Sequence, residues 1–443
     1  MKKKREVNSS IHSAKKTYKK EIKKSSNFPI ANSTSKIDYQ LLMQQASSQP
    51  VASTYSKLGP IESYSDLLIS DQKNHCEILA AEHIIHMTEA LRYLSSAMYA
   101  YLNNERYHAI HLAYYAELRA ILSLYAGSGI RTEKIDLEHE KPYFIDKEGK
   151  KCFYAKFVET HPFASMAWKE WIQRSDAQAL LWDSIYLLPG VSLGCLKPHL
   201  SRVNPELLRS LAFDLDQIKE DRHARNIASY KAYWRFKCFL KMEKSQVRFA
   251  RELARLFTKS ETGLLFDKVL VQYLVEEIVR SNVEGDESSR EIEEKFTDTR
   301  DELIRQVARS SGIEENSIKA HLNISTTSLF YKAKGPTVDI ENILARAAFL
   351  ARLAMLSVGK NVASSGNPHI RRWIQNWLEH CGCWISDEDV ELEDLEADYC
   401  EAIEDFSPDK FQNMPADLWS KENVQNTLRI ANPHMCLAWG LTS

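Results

Sequence analysis

Glycine and proline are scarce in this chain of 443 residues, which contains 14 Gly and 13 Pro. Because these residues disfavour helices and serve turns, their scarcity argues against collagen-like, low-complexity and loop-rich β architectures. The chain also lacks the loops GxxxxGK[ST] and GxGxxG and the zinc motif HExxH. The sequence therefore excludes P-loop hydrolase, Rossmann oxidoreductase and zincin chemistry. We also expect no nucleophile elbow and no cofactor.

A long apolar run and a large net charge are missing as well. No stretch reaches the roughly 18–20 uninterrupted apolar residues that cross a bilayer, and no secretory signal follows the basic N-terminus. The 58 basic and 60 acidic residues leave a net charge of −2, from which no partner follows. We expect a cytoplasmic chain without membrane contact, whose eight cysteines are reduced thiols.

The charge is segregated along the chain. Residues 1–37 are basic and contain few apolar side chains, so we expect a flexible arm, followed by a lead-in segment over 38–74. At the other end, residues 387–405 contain eleven acidic residues and no Lys or Arg. This segment is typical of the solvated face of a helix, and mimicry of nucleic acid is the alternative.

Helices fill most of the rest. Residues 76–126 contain no Gly or Pro, and apolar residues recur at steps of three and four, which predicts two antiparallel helices that break at Asn103-Asn104. The stretch 141–156 predicts a small β-hairpin that turns at Gly149. The fold class is therefore all-α, with a helical bundle at 75–242 carrying this hairpin and a second helical domain at 247–443.

One segment of the second domain, 303–322, has the pattern of a helix-turn-helix. Ala308 is small where two helices approach, and Gly312 can adopt the positive φ of a tight turn. Lys319, His321 and Asn323 would then contact a groove or phosphates. The alternative is an ordinary helix that ends in Gly and is followed by another helix.

The cysteine-rich end offers side chains that could bind a metal, because His380-Cys381-Gly-Cys383 precedes Cys400, His434 and Cys436. The spacing differs from the paired knuckles of structural zinc sites, so buried free thiols are favoured.

The segment 107–125 is apolar almost all round and yet carries His111, Glu117 and Arg119. A helix of this kind is buried, and buried charges need partners. The segment 221–230 offers them, because Asp221 and Arg225 could pair with the charges of the first segment.

At these residues the sequence resembles the HEPN superfamily of helical bundles over about 75–242. Ala113-Tyr-Tyr-Ala-Glu117 is similar to the family's AYYA-type second helix. Arg225-Asn226-Ile-Ala-Ser-Tyr230 is similar to the signature of the closing helix, which consists of Arg, a polar residue, a short spacer and His or Tyr.

The resemblance implies metal-independent RNA cleavage in a composite site between two bundles, commonly in a homodimer, as in bacterial toxin or phage-defence systems. Arg225 would hold the scissile phosphate and a histidine would move protons. Tyr230 stands at the position expected for His and is a poor base at neutral pH, so His223 beside Arg222 would substitute. A nucleic-acid-binding regulator that uses 303–322 and a non-catalytic helical scaffold are the alternative functions.

Overall fold

The structure is a computed structural model. It describes residues 20–37, 75–134, 140–154, 157–200, 215–230, 242–283, 289–322, 329–336, 339–383, 392–412 and 414–441. Within these ranges the protein is predominantly α-helical with short antiparallel hairpins, as predicted.

The helices fall into two runs along the chain. The first run consists of α1 (Phe28–Thr34), α2 (His75–Leu102), α3 (Arg106–Gly127), α4 (Thr160–Trp171), α5 (Ser175–Ser184), α6 (Leu215–Tyr230), α7 (Lys244–Arg255) and α8 (Leu265–Val283). The second run consists of α9 (Ser289–Ser311), α10 (Glu315–Leu322), α11 (Leu329–Ala333), α12 (Ile340–Ser365), α13 (His369–His380), α14 (Leu392–Asp405), α15 (Val424–Ile430) and α16 (Leu437–Gly440). Turns of 3₁₀ helix cover Leu193–Leu200, Pro408–Lys410, Ala416–Trp419 and Pro433–Cys436.

The long pair α2 and α3 packs side by side and breaks where the sequence predicts. Asn104 has a φ of 61°, a conformation that Asn tolerates better than most residues, and it reverses the chain between the two helices. Most of the α2 residues are buried, as expected for a helix that is apolar on several faces.

A three-stranded antiparallel sheet follows α3 and contains the predicted hairpin. The strands β1 (Ile130–Lys134), β2 (Glu140–Ile145) and β3 (Lys151–Phe153) pair in the order β1-β2-β3. Gly149 lies in the turn between β2 and β3 with a φ of 79°. Two further hairpins are short: β4 (Tyr186–Leu188) with β5 (Val191–Ser192), and β6 (Lys259–Ser260) with β7 (Gly263–Leu264).

The helix α12 is the centre of the core and packs against both α2 and α3. Within the ranges that the structure describes, it is the one helix long and apolar enough to span a bilayer, and 89% of its most apolar window is buried inside the protein. That burial is the behaviour of a core helix.

The hydrophobic core is continuous across the predicted domain boundary. One cluster of buried side chains runs from Leu79 in α2 to Leu437 in α16, and α12 supplies much of its middle. The division at 242–247 therefore does not separate two cores, because the apolar faces of α2 and α3 are completed by a helix more than 200 residues later in the chain.

Part of the predicted N-terminal arm is packed against the core. Residues 1–19 lie outside the described ranges, as does the predicted lead-in at 38–74, but 20–37 are packed, with Ile22, Ile30 and Ile37 buried. Arg174 donates a 2.8 Å hydrogen bond to the Ile22 carbonyl and holds this segment in place. The prediction failed because three well-spaced isoleucines are enough to anchor a polar segment when a core is already present.

A buried histidine ties three helices together at the core. His83 Nδ1 lies 2.8 Å from the carbonyl oxygen of Ser123 on α3, and its Nε2 lies 3.1 Å from Ser357 Oγ on α12. Burial lowers the pKa of His83 to about 4. The neutral imidazole is therefore a structural part of the fold.

We expect this burial to make the protein less stable in mild acid. Below pH about 6.5 the unfolded chain protonates His83, whereas the folded protein does not until pH about 4, so stability falls as pH falls through this window. The contribution of His83 to this loss is about 3 kcal/mol at most, taking 1.36 kcal/mol for each pH unit. Denaturant unfolding at pH 5 and pH 7 should show a smaller difference for His83→Gln than for the wild type. The exposed His108→Gln is the control, and an unchanged pH dependence in His83→Gln would refute the assignment.

Candidate functional site

Three buried ionisable groups meet where α3, α6 and α12 pack together. Arg346 on α12 is fully buried and forms a forked pair with Asp221 on α6, with Nε to Oδ2 at 2.9 Å and Nη2 to Oδ1 at 2.7 Å. The other nitrogen, Nη1, donates to the backbone carbonyls of Ala333 and Gly335 at 3.1 and 2.7 Å. The partner of Asp221 is therefore Arg346 rather than Arg225.

Glu117 on α3 is the third member of this group. Its Oε1 lies 3.4 Å from Arg346 Nε, and the side chain is fully buried. Burial and the neighbouring Asp221 carboxylate raise the pKa of Glu117 well above its usual value, despite the opposing effect of Arg346. The raised pKa favours the neutral form of Glu117 beside the Asp221–Arg346 pair, and the three residues act as a structural tie.

Because Asp221 pairs with Arg346, it does not pair with Arg225, which lies against two aromatic rings instead. Its guanidinium carbon is 5.3 Å from the ring centre of Tyr114 and 5.4 Å from that of Tyr115, both on α3. Arg225 is half-buried, and its buried Nε has no hydrogen-bond partner within the described part of the chain. A cation held by ring faces, with a buried donor left over, is suited to receive an anion.

A histidine stands beside this cation. His111 Nδ1 lies 2.7 Å from Ser229 Oγ, one helical turn after Arg225 on α6, and the His111 ring centre is 5.0 Å from that of Tyr115. Burial, the Arg225 charge and, to a smaller degree, His108 lower the pKa of His111 below its usual value. At neutral pH His111 is therefore a proton acceptor fixed in orientation by Ser229.

A second histidine reaches the same rings from α4. His161 Nδ1 is 2.9 Å from Tyr114 Oη, and the two rings stack with centres 5.9 Å apart and an interplanar angle of 11°. Burial raises the pKa of Tyr114 to about 12, so its hydroxyl is protonated at neutral pH. We call the group Tyr114, Tyr115, Arg225, His111 and His161 the Arg225 cluster.

Arg222 borders a small cavity next to the cluster. The cavity has a volume of about 10 Å³, close to the room that one water needs, and its polar lining is Tyr114, Glu117, Ser165, His161 and Arg222. Two arginines, Arg222 and Arg225, and His161 thus lie around Tyr114.

The structure brings some of the predicted site residues together and leaves others apart. Arg222 and Arg225 reach the cluster, whereas His223, predicted to replace the missing family histidine, is exposed to solvent on the same helix. Asn226 is half-buried, and the side chain of Tyr230 lies outside what the structure describes. The prediction for His223 was wrong because adjacent residues of a helix point about 100° apart, so His223 does not share the direction of Arg222.

Three residues of the cluster, Tyr114, Tyr115 and His161, were not predicted as site residues from the sequence. Tyr114 and Tyr115 belong to the AYYA segment on α3. His161 is brought to them by α4, which packs against α3 and α6. Periodicity shows that a residue lies on a buried face, but not which distant helix covers that face.

The segment 303–322 does fold as two helices around a tight turn. Gly312 has a φ of 72° between α9 and α10, and Ala308 and Ile318 are buried. The proposed contact residues are less suitable, because His321 is buried and Lys319 forms a 3.1 Å ion pair with Asp301. His321, predicted to contact a groove, therefore faces the core instead, and Asn323 lies outside the described residues.

Replacing Gly312 by Val should lower the free energy of unfolding by about 1–2 kcal/mol, because an L side chain is strained at positive φ. A Cβ added there meets no atom within 4 Å, so the expected loss comes from the backbone alone. Gly359→Ala is the matched control, since it adds a methyl group in the α12 helix at ordinary contact distance, 3.5 Å from Leu441, and should not destabilise. Urea unfolding measures both, and an unchanged stability in Gly312→Val would contradict the tight turn.

The cysteine-rich end forms a hydrogen-bonded pair. Cys383 Sγ lies 3.0 Å from His434 Nε2, and His434 Nδ1 lies 2.6 Å from Ser95 Oγ. Burial raises the pKa of Cys383 to about 12 and lowers that of His434 to about 3, so both are neutral. Across the described ranges no group of three His, Cys, Asp or Glu side chains has the arrangement of a metal site.

One further spacing resembles a hydrolase motif, Gly190-Val-Ser192-Leu-Gly194, of the form GxSxG. Ser192 lies in the two-residue strand β5, which pairs antiparallel with β4 and continues into a 3₁₀ turn. A nucleophile elbow requires a sharp turn between a strand of a parallel sheet and an α-helix, so this serine is not one.

The acidic segment is helical over the residues that the structure describes, 392–405. Its described part, α14, buries Leu395, Tyr399 and Ile403 and turns most of its carboxylates to solvent. This arrangement is that of a solvated helix face.

Comparisons of the chain with protein-family models, with curated proteins and with solved structures found no match.

Proposed function

We propose that the chain is an RNA-directed protein of HEPN-like type, whose Arg225 cluster binds an RNA phosphate and cleaves the chain without a metal. The observation that carries the proposal is Arg225 itself. Its guanidinium rests on Tyr114 and Tyr115 with a buried Nε that has no hydrogen-bond partner in the described structure, while the nearby carboxylate Asp221 is taken by Arg346.

The shape of the arginine side chain suits it to bind a phosphate during cleavage. Guanidinium presents parallel N–H donors that match two phosphate oxygens, and charge on these oxygens grows as the phosphorus is attacked. The rings beneath Arg225 keep its plane fixed and exclude water from one face. A preorganised donor of this kind stabilises the transition state more than the ground state.

His111 supplies the proton transfer that Tyr230 cannot provide at neutral pH. Its neutral imidazole can accept the proton of an RNA 2′-hydroxyl as that oxygen attacks the adjacent phosphorus, and Ser229 holds the ring while it does so. The bond from phosphorus to the 5′-oxygen breaks, the leaving oxygen takes a proton from water, and the His111 imidazolium then returns the proton of the 2′-hydroxyl to solvent. The products are a 2′,3′-cyclic phosphate and a 5′-hydroxyl.

The experiment is incubation of the purified chain with a single-stranded RNA of mixed sequence in the presence of EDTA. We expect cleavage products that end in 2′,3′-cyclic phosphate, and no cleavage of a DNA of the same sequence because it lacks the attacking hydroxyl. Intact RNA under all conditions, or equal cleavage of DNA, would overturn the proposal.

A further inference from the structure

The α6 side of the site has three polar positions in a row. Arg222, Arg225 and Ser229 are three and four residues apart, so they lie on one face of α6 at successive turns. With a rise of about 1.5 Å per residue, Arg225 lies about 4.5 Å along the helix axis from Arg222 and about 6 Å from Ser229. Because Ser229 holds His111 at 2.7 Å, Arg225 lies between this histidine and Arg222.

The contacts with α3 give the same order. The α3 residues that lie against these positions are His111 at Ser229, Tyr114 and Tyr115 at Arg225, and Glu117 and Leu118 at the cavity that Arg222 lines. Their numbers rise as the numbers on α6 fall, as they do in two antiparallel helices. Both helices therefore place Arg225 between His111 on one side and Arg222 on the other.

The charge of Arg222 is not neutralised by the carboxyl groups next to it. Asp221 is bound by Arg346, and the raised pKa of Glu117 favours its neutral form. Within the described ranges Arg222 forms no ion pair. Burial raises the pKa of Tyr114 to about 12, and the charges of Arg225 and Arg222 both oppose this rise, so both cations act at one hydroxyl. Two cations that converge in this way favour the binding of anions.

The proposed cleavage gives this row of residues a direction. In an in-line displacement the attacking 2′-oxygen and the leaving 5′-oxygen lie on opposite sides of the phosphorus. His111 takes the proton of the attacking oxygen, so the nucleoside on the 5′ side of the scissile phosphate lies towards His111. The leaving nucleoside therefore lies towards Arg222, together with the phosphate on its own 3′-oxygen.

We propose that Arg222 binds the phosphate that follows the scissile one on its 3′ side, so that the preferred substrate is an RNA strand with a phosphate 3′ to the cleaved linkage. A guanidinium binds phosphate through charge-assisted and often bidentate hydrogen bonds. The inference rests on the proposed function, because the role of His111 sets the direction of the strand. Arg222 is then a specificity residue that does not touch the reacting atoms.

The test is calorimetric titration with 2′-O-methyl diuridylates, which lack the attacking hydroxyl and survive the measurement. The ligands are UpU, UpUp with a 3′-terminal phosphate, and pUpU with a 5′-terminal phosphate. The wild type should bind UpUp about tenfold or more tightly than pUpU, the factor expected for one charge-assisted contact. Because UpUp and pUpU carry the same charge, a difference between them reports the position of the second phosphate.

Replacing Arg222 by Gln should remove the preference for UpUp and leave the affinity for UpU unchanged. Arg222→Lys keeps the charge without the fork, so it should retain part of the preference. Arg309→Gln removes an exposed arginine from α9 and is the control that should keep the full preference. Thermal unfolding of the same samples checks that each variant is folded. Equal binding of UpUp and pUpU by the wild type, or a full preference in Arg222→Gln, would overturn the proposal.

Cleavage of the same compounds with free 2′-hydroxyls separates this inference from the proposed function. Arg222→Gln should raise KM for UpUp by about tenfold and leave kcat unchanged, because the contact lies away from the reacting atoms. Cleavage of UpUp and pUpU by the wild type with equal kcat/KM refutes the role of Arg222 alone. A preference for UpUp that depends on Arg222, without cleavage of any of the three compounds, refutes the nuclease alone.

Discussion

Replacing Arg346 by Met is expected to lower the free energy of unfolding by about 3–5 kcal/mol, the largest stability effect that we predict. The guanidinium is fully buried, and its loss leaves Asp221 and Glu117 in the core with no cation between them. A buried charge that loses its partner keeps its desolvation penalty without the compensating attraction. Urea denaturation at pH 7 measures the loss.

Glu117→Gln is the control for this prediction. Since the raised pKa favours the neutral form of Glu117, a neutral amide of the same shape should not lower the stability at pH 7 by more than about 1 kcal/mol. A folded-state pKa above the unfolded value means that Glu117 stabilises most at low pH and less as pH rises above about 4.5, and Gln removes this dependence. A loss of several kcal/mol in Glu117→Gln, or none in Arg346→Met, would contradict the assignment of the charged pair.

Replacing Arg225 by Lys is expected to lower the rate of RNA cleavage by about 10²-fold or more while the fold is kept. Lys retains the positive charge but not the fork that spans two phosphate oxygens, and its ammonium does not lie flat on the rings of Tyr114 and Tyr115. The measurement is the single-turnover cleavage rate at saturating protein, with thermal unfolding recorded on the same samples.

Arg119→Lys is the matched control for Arg225→Lys. Arg119 is also a half-buried arginine, but its Nε pairs with Glu89 at 3.0 Å and its Nη1 lies 3.1 Å from His86 Nδ1. Its replacement should leave the cleavage rate unchanged. Equal rates for Arg225→Lys and the wild type would show that the forked contact is not used.

Local signals in the sequence were sufficient for the parts of the fold that depend on neighbouring residues. Asn103-Asn104 ends α2 because Asn tolerates the left-handed region, and Gly149 turns the hairpin for the same reason. The all-α class follows from apolar residues at steps of three and four with few breakers between them.

Contacts between distant segments could not be predicted from the sequence. The buried charges of α3 and α6 were recognised as needing partners, but the cation that satisfies them, Arg346, lies 125 residues after Asp221. His161 meets Tyr114 across 47 residues. A periodic pattern identifies the face that a helix buries, and several helices with similar faces could cover it equally well before the fold is known.

The most direct test of the central claim is to measure stability and RNA cleavage together for Arg225→Ala. If Arg225 serves a phosphate, its removal should change the free energy of unfolding by about 1 kcal/mol or less, because Asp221 and Glu117 keep Arg346, and cleavage should be lost. If instead the wild type cleaves no RNA and Arg225→Ala loses about 3–5 kcal/mol of stability, Arg225 is a structural tie and the ribonuclease proposal is refuted.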